Sequence, residues 1–164
     1  MNLKIEIRYA VLISLLMLLW LSLEFMVGLH DTYIQYHPFV TLFAFVIPIV
    51  CSRMALKDKL EELNGKLDFK QALKTGIIIA SLAALFAIPV QFVFHYLVNP
   101  DFFDNMIFYS VTRAMASGTD VVKAKAEATS YFNFTSYLLM SVFGTLIFGS
   151  VIAAVMAWRM RTDK

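Results

Sequence analysis

The sequence predicts an all-α polytopic membrane protein with four transmembrane helices. Its 164 residues are 60% hydrophobic and only 16% charged, whereas soluble domains run to about 45–50% apolar and about 25% charged. The apolar residues gather in four runs, each long enough to cross a hydrocarbon core about 30 Å thick, which takes about 20 helical residues. The runs are continuous rather than alternating, which excludes a water-filled β-barrel. The whole chain, 1–164, reads as a single integral membrane domain, with the lipid bilayer as its first partner and no nucleic-acid partner expected.

The first span is expected over about 9–29, after a short polar start carrying Lys4, Glu6 and Arg8. It is too long for the 7–15-residue apolar stretch of a signal peptide, and Gly28-Leu29-His30 is not a small-residue cleavage site, so no cleavage is expected. Gly28 and the polar His30-Asp31 mark its exit. The second span is expected over about 38–56. Pro38 suits a first helical turn, where its missing N–H has no partner to lose, and Pro48 predicts a kink. Leu56, Leu60 and Leu63 recur at helical spacing, so this helix should continue as an amphipathic stub. Asn64-Gly65 then predicts a stop and turn.

Asp68, with Gln71 three residues on, has the spacing of a capping box for the third span, about 71–98. Pro89 predicts a kink in it, and Asn99-Pro100-Asp101 ends it. Residues of about 101–132 form an amphipathic segment expected to lie in the interface, broken at Gly118 and restarted by Thr119 or Asp120. The fourth span, about 136–158, ends at Trp158, an interfacial anchor, followed by Arg159 and Arg161.

Lysine and arginine counts orient the chain. Lys4 and Arg8 precede the first span, six cationic residues lie between Arg53 and Lys74, and Arg159, Arg161 and Lys164 follow the fourth. The 30–37 link has none. By the positive-inside rule both termini and the 53–75 loop are expected to be cytoplasmic, in the cell inner (cytoplasmic) membrane. Tyr33, Tyr36, Tyr96, Tyr109, Tyr131 and Tyr137 then line the outer face as an aromatic belt.

Glu24 is the one ionisable residue deep inside an apolar run. A charge there costs roughly 2.5–3.5 kcal/mol on insertion scales, which marks it as a candidate functional residue. Asp31, seven residues on, is expected on the same helical face, since seven residues are close to two turns. All three histidines, His30, His37 and His95, map to the outer side, and Gln91, His95 and Asn99 form one stripe. The candidate polar pocket is therefore Glu24, His30, Asp31, Gln91, His95 and Asn99, suited to a divalent metal, a proton or a lipid head group. The alternative is that Glu24 only cross-links helices through hydrogen bonds. No His-Glu-x-x-His, Gly-x-Ser-x-Gly or Walker pattern is present, so no catalytic residue, cofactor or metal is assigned. Ser141, Thr145, Gly149, Ala153 and Ala157 repeat every four residues, a helix-packing seam facing either the third span or a second copy of the chain.

Four segments carry a resemblance: Glu24 to Asp31; Asn64-Gly65-Lys66-Leu67-Asp68-Phe69-Lys70-Gln71; Phe102-Phe103-Asp104-Asn105-Met106-Ile107; and Ala124 to Tyr137 with its Ala-Glu-Ala-Thr-Ser-Tyr-Phe-Asn run. Together the chain resembles the four-helix bacterial membrane proteins catalogued as domain of unknown function 4199. Where that family is usually acidic, this chain has Val121-Val122-Lys123. The resemblance implies fold and membrane location, and no activity. The leading functional expectation is a non-enzymatic structural or accessory component, working with a membrane protein partner or as a homodimer. The alternative is a binding or transport protein using the polar pocket.

Overall fold

The computed structural model describes residues 3–163. Among them there is no strand, and four helical rods are long and apolar enough to cross a membrane. The rods run alternately up and down. One end, here the lysine end, gathers Lys4, Lys59, Leu67 and Thr162. The other, the histidine end, gathers Glu24, His30, His37 and Asn99.

Helix α1 spans Lys4–Met26, starting and ending earlier than the apolar run suggests. It starts earlier because its first-turn charges find partners: Arg8 pairs with Asp58, and Glu6 meets Lys59 at 3.4 Å. It ends earlier because Gly28 adopts φ +80°. The Gly28 N–H then bonds the Phe25 carbonyl at 3.0 Å and the Leu29 N–H reaches back to that of Glu24 at 2.9 Å. This is a Schellman closure, which needs a residue without a Cβ penalty in the left-handed region.

The second rod, Ile34–Glu62, is composite. A 3-10 turn over Ile34–Tyr36 leads into α2, His37–Val40, with Pro38 in its first turn. The chain tightens to 3-10 again over Thr41–Phe45 before α3, Val46–Glu62. That tightening lies just ahead of Pro48, whose ring clashes with an α-helical carbonyl at Ala44. The amphipathic stub is present, since α3 runs to Glu62 and Leu56 is buried there. Asn64 (φ 51°) and Gly65 (φ 81°) make the turn.

Helix α4, Phe69–Val93, opens with the expected capping box: Asp68 accepts from the Gln71 N–H at 2.8 Å and the Gln71 side chain accepts from the Asp68 N–H at 3.0 Å. It passes Pro89 and widens into a π turn over Phe94–Val98, closed by the Asn99 N–H on the Phe94 carbonyl at 2.8 Å. Two shorter helices follow at the histidine end, α5, Phe102–Ala116, and α6, Val121–Tyr131, separated at Gly118 (φ 66°). Asp120 caps α6, accepting from the N–H groups of Val122 and Lys123. Helix α7, Phe134–Met160, is capped by Asn133 and tied to the lysine end by paired bonds between Thr162 and Leu67.

The closest helix pair is α4 with α7. Gly76 faces Ala153 and Gly149 faces Ala80, with no room for a further methyl at either glycine. Helix α1 packs on α3 and α4 through Tyr9, Ala10, Ile13, Cys51, Ala55, Ile79 and Ala83. On the opposite face of α7, Leu139, Phe143, Ile147, Val151 and Val155 point outward. That apolar stripe suits a lipid environment.

Candidate functional site

Three elements converge at the histidine end. Glu24 lies in the last turn of α1, His30 follows the Schellman turn, and His37 is the first residue of α2. The reversal at Gly28 folds the chain back over the end of α1 and brings His30 beside Glu24. Glu24 is 2% exposed and His30 is 0% exposed. The Glu24 Oε1 accepts from the Trp20 indole N–H at 2.7 Å, one turn earlier on the same helix. Its Oε2 faces His30 Nε2 at 3.5 Å and His37 Nε2 at 3.7 Å. Neither Glu24 Oε2 nor His30 Nε2 has a hydrogen-bond partner.

His30 is held from its far side, where Nδ1 meets the Asn99 side-chain amide at 3.2 Å. Its ring is enclosed by aromatic edges and faces: His37 at 4.9 Å, Phe102 at 5.0 Å, Phe94 at 5.5 Å and Phe25 at 6.4 Å between centroids. A carboxylate in such a box is expensive unless a cation or donors match it. One atom from each of Glu24, His30 and His37 lies within 4.8 Å of the other two, the only such group of potential metal ligands among the described residues.

The other candidates divide. His95 and Gln91 face α7: His95 Nε2 bonds Gln91 Oε1 at 2.9 Å, and Gln91 Nε2 donates to Ser141 Oγ at 3.1 Å. His95 stacks on Phe103 at 4.4 Å and presents its ring to Tyr137. Asn99 does not continue that stripe. The extra residue in the π turn rotates it off the α-helical register, so it reaches His30 instead. Asp31 stands apart. It is exposed, and its carboxylate accepts from the Thr32 N–H within its own turn. The shared face with Glu24 required α1 to continue past Gly28, and it does not. His37 belongs with Glu24 and His30 although the pocket read from sequence omits it; its place among the histidines of one end was the available signal.

A second buried acid lies at the lysine end. Glu6, 2% exposed, receives Thr75 Oγ1 at 3.4 Å and Lys59 Nζ at 3.4 Å, while Lys59 also pairs with Glu62 at 2.7 Å. Sequence reading missed it by placing residue 6 in a polar lead rather than a helix. Of the seam residues, Ser141, Thr145 and Gly149 border a cavity of about 320 Å³ beside α4, and Ala153 and Ala157 are buried. Glu24, His30 and His37 do not line that cavity.

A family model described as "Protein of unknown function (DUF4199)" matches residues 8–162. No curated protein matches the chain, and no solved structure does.

Proposed function

The chain belongs to the DUF4199 family, and on that premise we propose that it is a non-enzymatic membrane protein whose histidine end binds a small cation, a proton or a metal ion. In this reading the protein is one domain in the bacterial cytoplasmic membrane, with both ends of the chain on the cytoplasmic side and the pocket in the outer leaflet. One observation carries it: Glu24 Oε2 is buried, lacks a donor, and faces two imidazole nitrogens. Buried polar groups are almost always paired. Glu6 Oε2 also lacks a hydrogen-bond partner, but Lys59 stands 3.4 Å from that acid's other oxygen, whereas Glu24 has only the two histidines beside its open oxygen. Here Trp20 satisfies one oxygen and leaves the other toward the histidines.

The same geometry argues against a lipid head group as ligand, because a phosphate or carboxylate would meet Glu24 as a like charge. The small-residue seam of α7 is occupied within the chain by Gly76 and Ala80, so in this reading it is not the surface for a second copy.

The test uses the full chain in lipid nanodiscs with chelator present and histidines isotopically labelled. The His30 and His37 ring signals should respond together as pH or monovalent cation concentration is changed, and Glu24→Gln should remove that shared response. Identical responses in the two proteins would refute the reading.

A further inference from the structure

We propose that Glu24, His30 and His37 form a binding site for a divalent first-row transition metal ion, with Zn²⁺ as the probe. The inference rests on the cation-pocket reading and names its ligand class.

The donor set is two imidazole nitrogens and one carboxylate oxygen. Such a mixed set suits zinc, iron, cobalt or nickel, whereas calcium and magnesium take oxygen ligands almost exclusively. The spacing fits as well. Neighbouring ligands of a tetrahedral zinc with bonds of about 2.0–2.1 Å lie about 3.3 Å apart. The carboxylate oxygen stands 3.5 Å from one nitrogen and 3.7 Å from the other. Those separations are too long for strong hydrogen bonds and close to what a shared ion needs. The third separation is within 4.8 Å, so rotation of the His37 ring, the least buried of the three side chains at 15% exposure, is enough to close the triangle.

The surroundings are those of a held ligand set. Metal-bound imidazoles give their other nitrogen to a fixed partner, and ligating carboxylates are themselves hydrogen-bonded. Asn99 stands at His30 Nδ1. As placed, the Asn99 amide nitrogen is the atom 3.2 Å from His30 Nδ1. Turned over, the amide would put its oxygen there to accept the Nδ1 proton and would leave the Nε2 lone pair toward Glu24, where no described residue bonds it. Trp20 holds Glu24 Oε1 and leaves Oε2 as a single-oxygen ligand. Glu24 and His30 are fixed by the Schellman turn between them, and His37 by the start of α2. His37, at 15% side-chain exposure, is the one of the three that reaches the surface.

The experiment uses the full chain in nanodiscs, stripped with chelator and then titrated with Co²⁺ and Zn²⁺. One Co²⁺ per chain should bind with the visible d–d bands of a four- or five-coordinate nitrogen and oxygen site, and Zn²⁺ should bleach them. Glu24→Gln, His30→Ala and His37→Ala should each weaken binding by at least about 100-fold, and Asn99→Ala by about 10–100-fold. His37→Gln is the safeguard variant, since a partly exposed residue tolerates substitution where His30 does not. Its retained fold is checked by circular dichroism, and it too should lose the bands. Absence of stoichiometric Co²⁺ binding, or unchanged binding in folded His37→Gln, overturns the metal site. If the Glu24-dependent shared response of the histidine rings to protons or monovalent cations persists in that case, only the metal is lost. If that response is absent as well, the cation-pocket reading falls with it.

Discussion

Glu24 is buried beside an imidazole ringed by phenylalanines, and of its two carboxylate oxygens Trp20 answers one. Among the described residues the indole N–H is the sole hydrogen-bond donor to that carboxylate, at 2.7 Å. Trp20→Phe keeps the aromatic bulk and removes the proton. The protein should lose about 1–3 kcal/mol of stability, the usual penalty for stranding a buried polar group. Combined with Glu24→Gln, which removes the charge needing the donor, the loss should be smaller than the sum of the two single effects. Reversible unfolding in mixed micelles, followed through a double-mutant cycle, measures the difference; strict additivity would mean that the two side chains do not interact. Glu6 obeys the same arithmetic with a different answer, because Lys59 approaches it from α3. Both acids leave one oxygen without a donor, and they differ in their company: Glu6 has a lysine beside its other oxygen, and Glu24 faces two histidines.

Helix pairing in lipid depends on how closely backbones approach, since the acyl chains are as apolar as leucine. The α4–α7 contact makes this quantitative. A Cβ on Gly76 would come within 2.5 Å of the Ala153 Cβ, whereas one on Gly144 would meet nothing within 4 Å. Gly76→Ala should therefore force the helices apart and cost about 1–3 kcal/mol, as overpacking does. Gly144→Ala should be neutral or gain up to about 1 kcal/mol from helix propensity. Thermal unfolding of both variants in the same detergent checks the sign of each; equal effects would deny that this seam sets the pairing. The seam was legible in the sequence because small residues at every fourth position of a helix have only one face to occupy. The capping box at Asp68 and the turns at Asn64-Gly65 and Gly118 were legible for a similar reason, since local chemistry alone determines them. Asp31 was not. Its placement depended on whether α1 outlasted Gly28, and the two Schellman bonds to Glu24 and Phe25 that stop it are a matter of φ, not of hydropathy. Asn99 was legible as polar and near the histidines, but its true partner depended on a π turn that no periodicity announces. Glu6 was invisible because its burial follows from a lysine on another helix.

Across the membrane the two ends of the molecule differ in kind. Lys4, Arg8, Arg53, Lys57, Lys59, Lys66, Lys70, Lys74, Arg159 and Arg161 belong to the lysine end, while Arg113, Lys123 and Lys125 on α5 and α6 belong to the other. Loops near span ends orient a membrane protein through such a bias, and the short link between α1 and α2 carries no Lys or Arg at all. Of the six tyrosines expected as an outer belt, Tyr33, Tyr36, Tyr96 and Tyr131 are exposed at the histidine end, while Tyr109 and Tyr137 are half-buried in the cluster around Phe94 and Phe102. If the bias governs insertion, the Glu24 end faces away from the cytoplasm, and a cation held there as proposed would come from outside. A reporter enzyme that is active only outside the cytoplasm, fused after Gly118, should then be active, and the same reporter fused at Asn64 should be silent. Both positions are turns with a residue at positive φ, and a Cβ added at Gly65 or Gly118 would meet no neighbour within 4 Å, so a fusion at either site disturbs little packing. The reverse pattern would turn the pocket toward the cytoplasm and change where its cation comes from. It would leave the local chemistry of Glu24, His30 and His37 untouched, because that chemistry is fixed by one turn and two helix ends rather than by which way the chain was inserted.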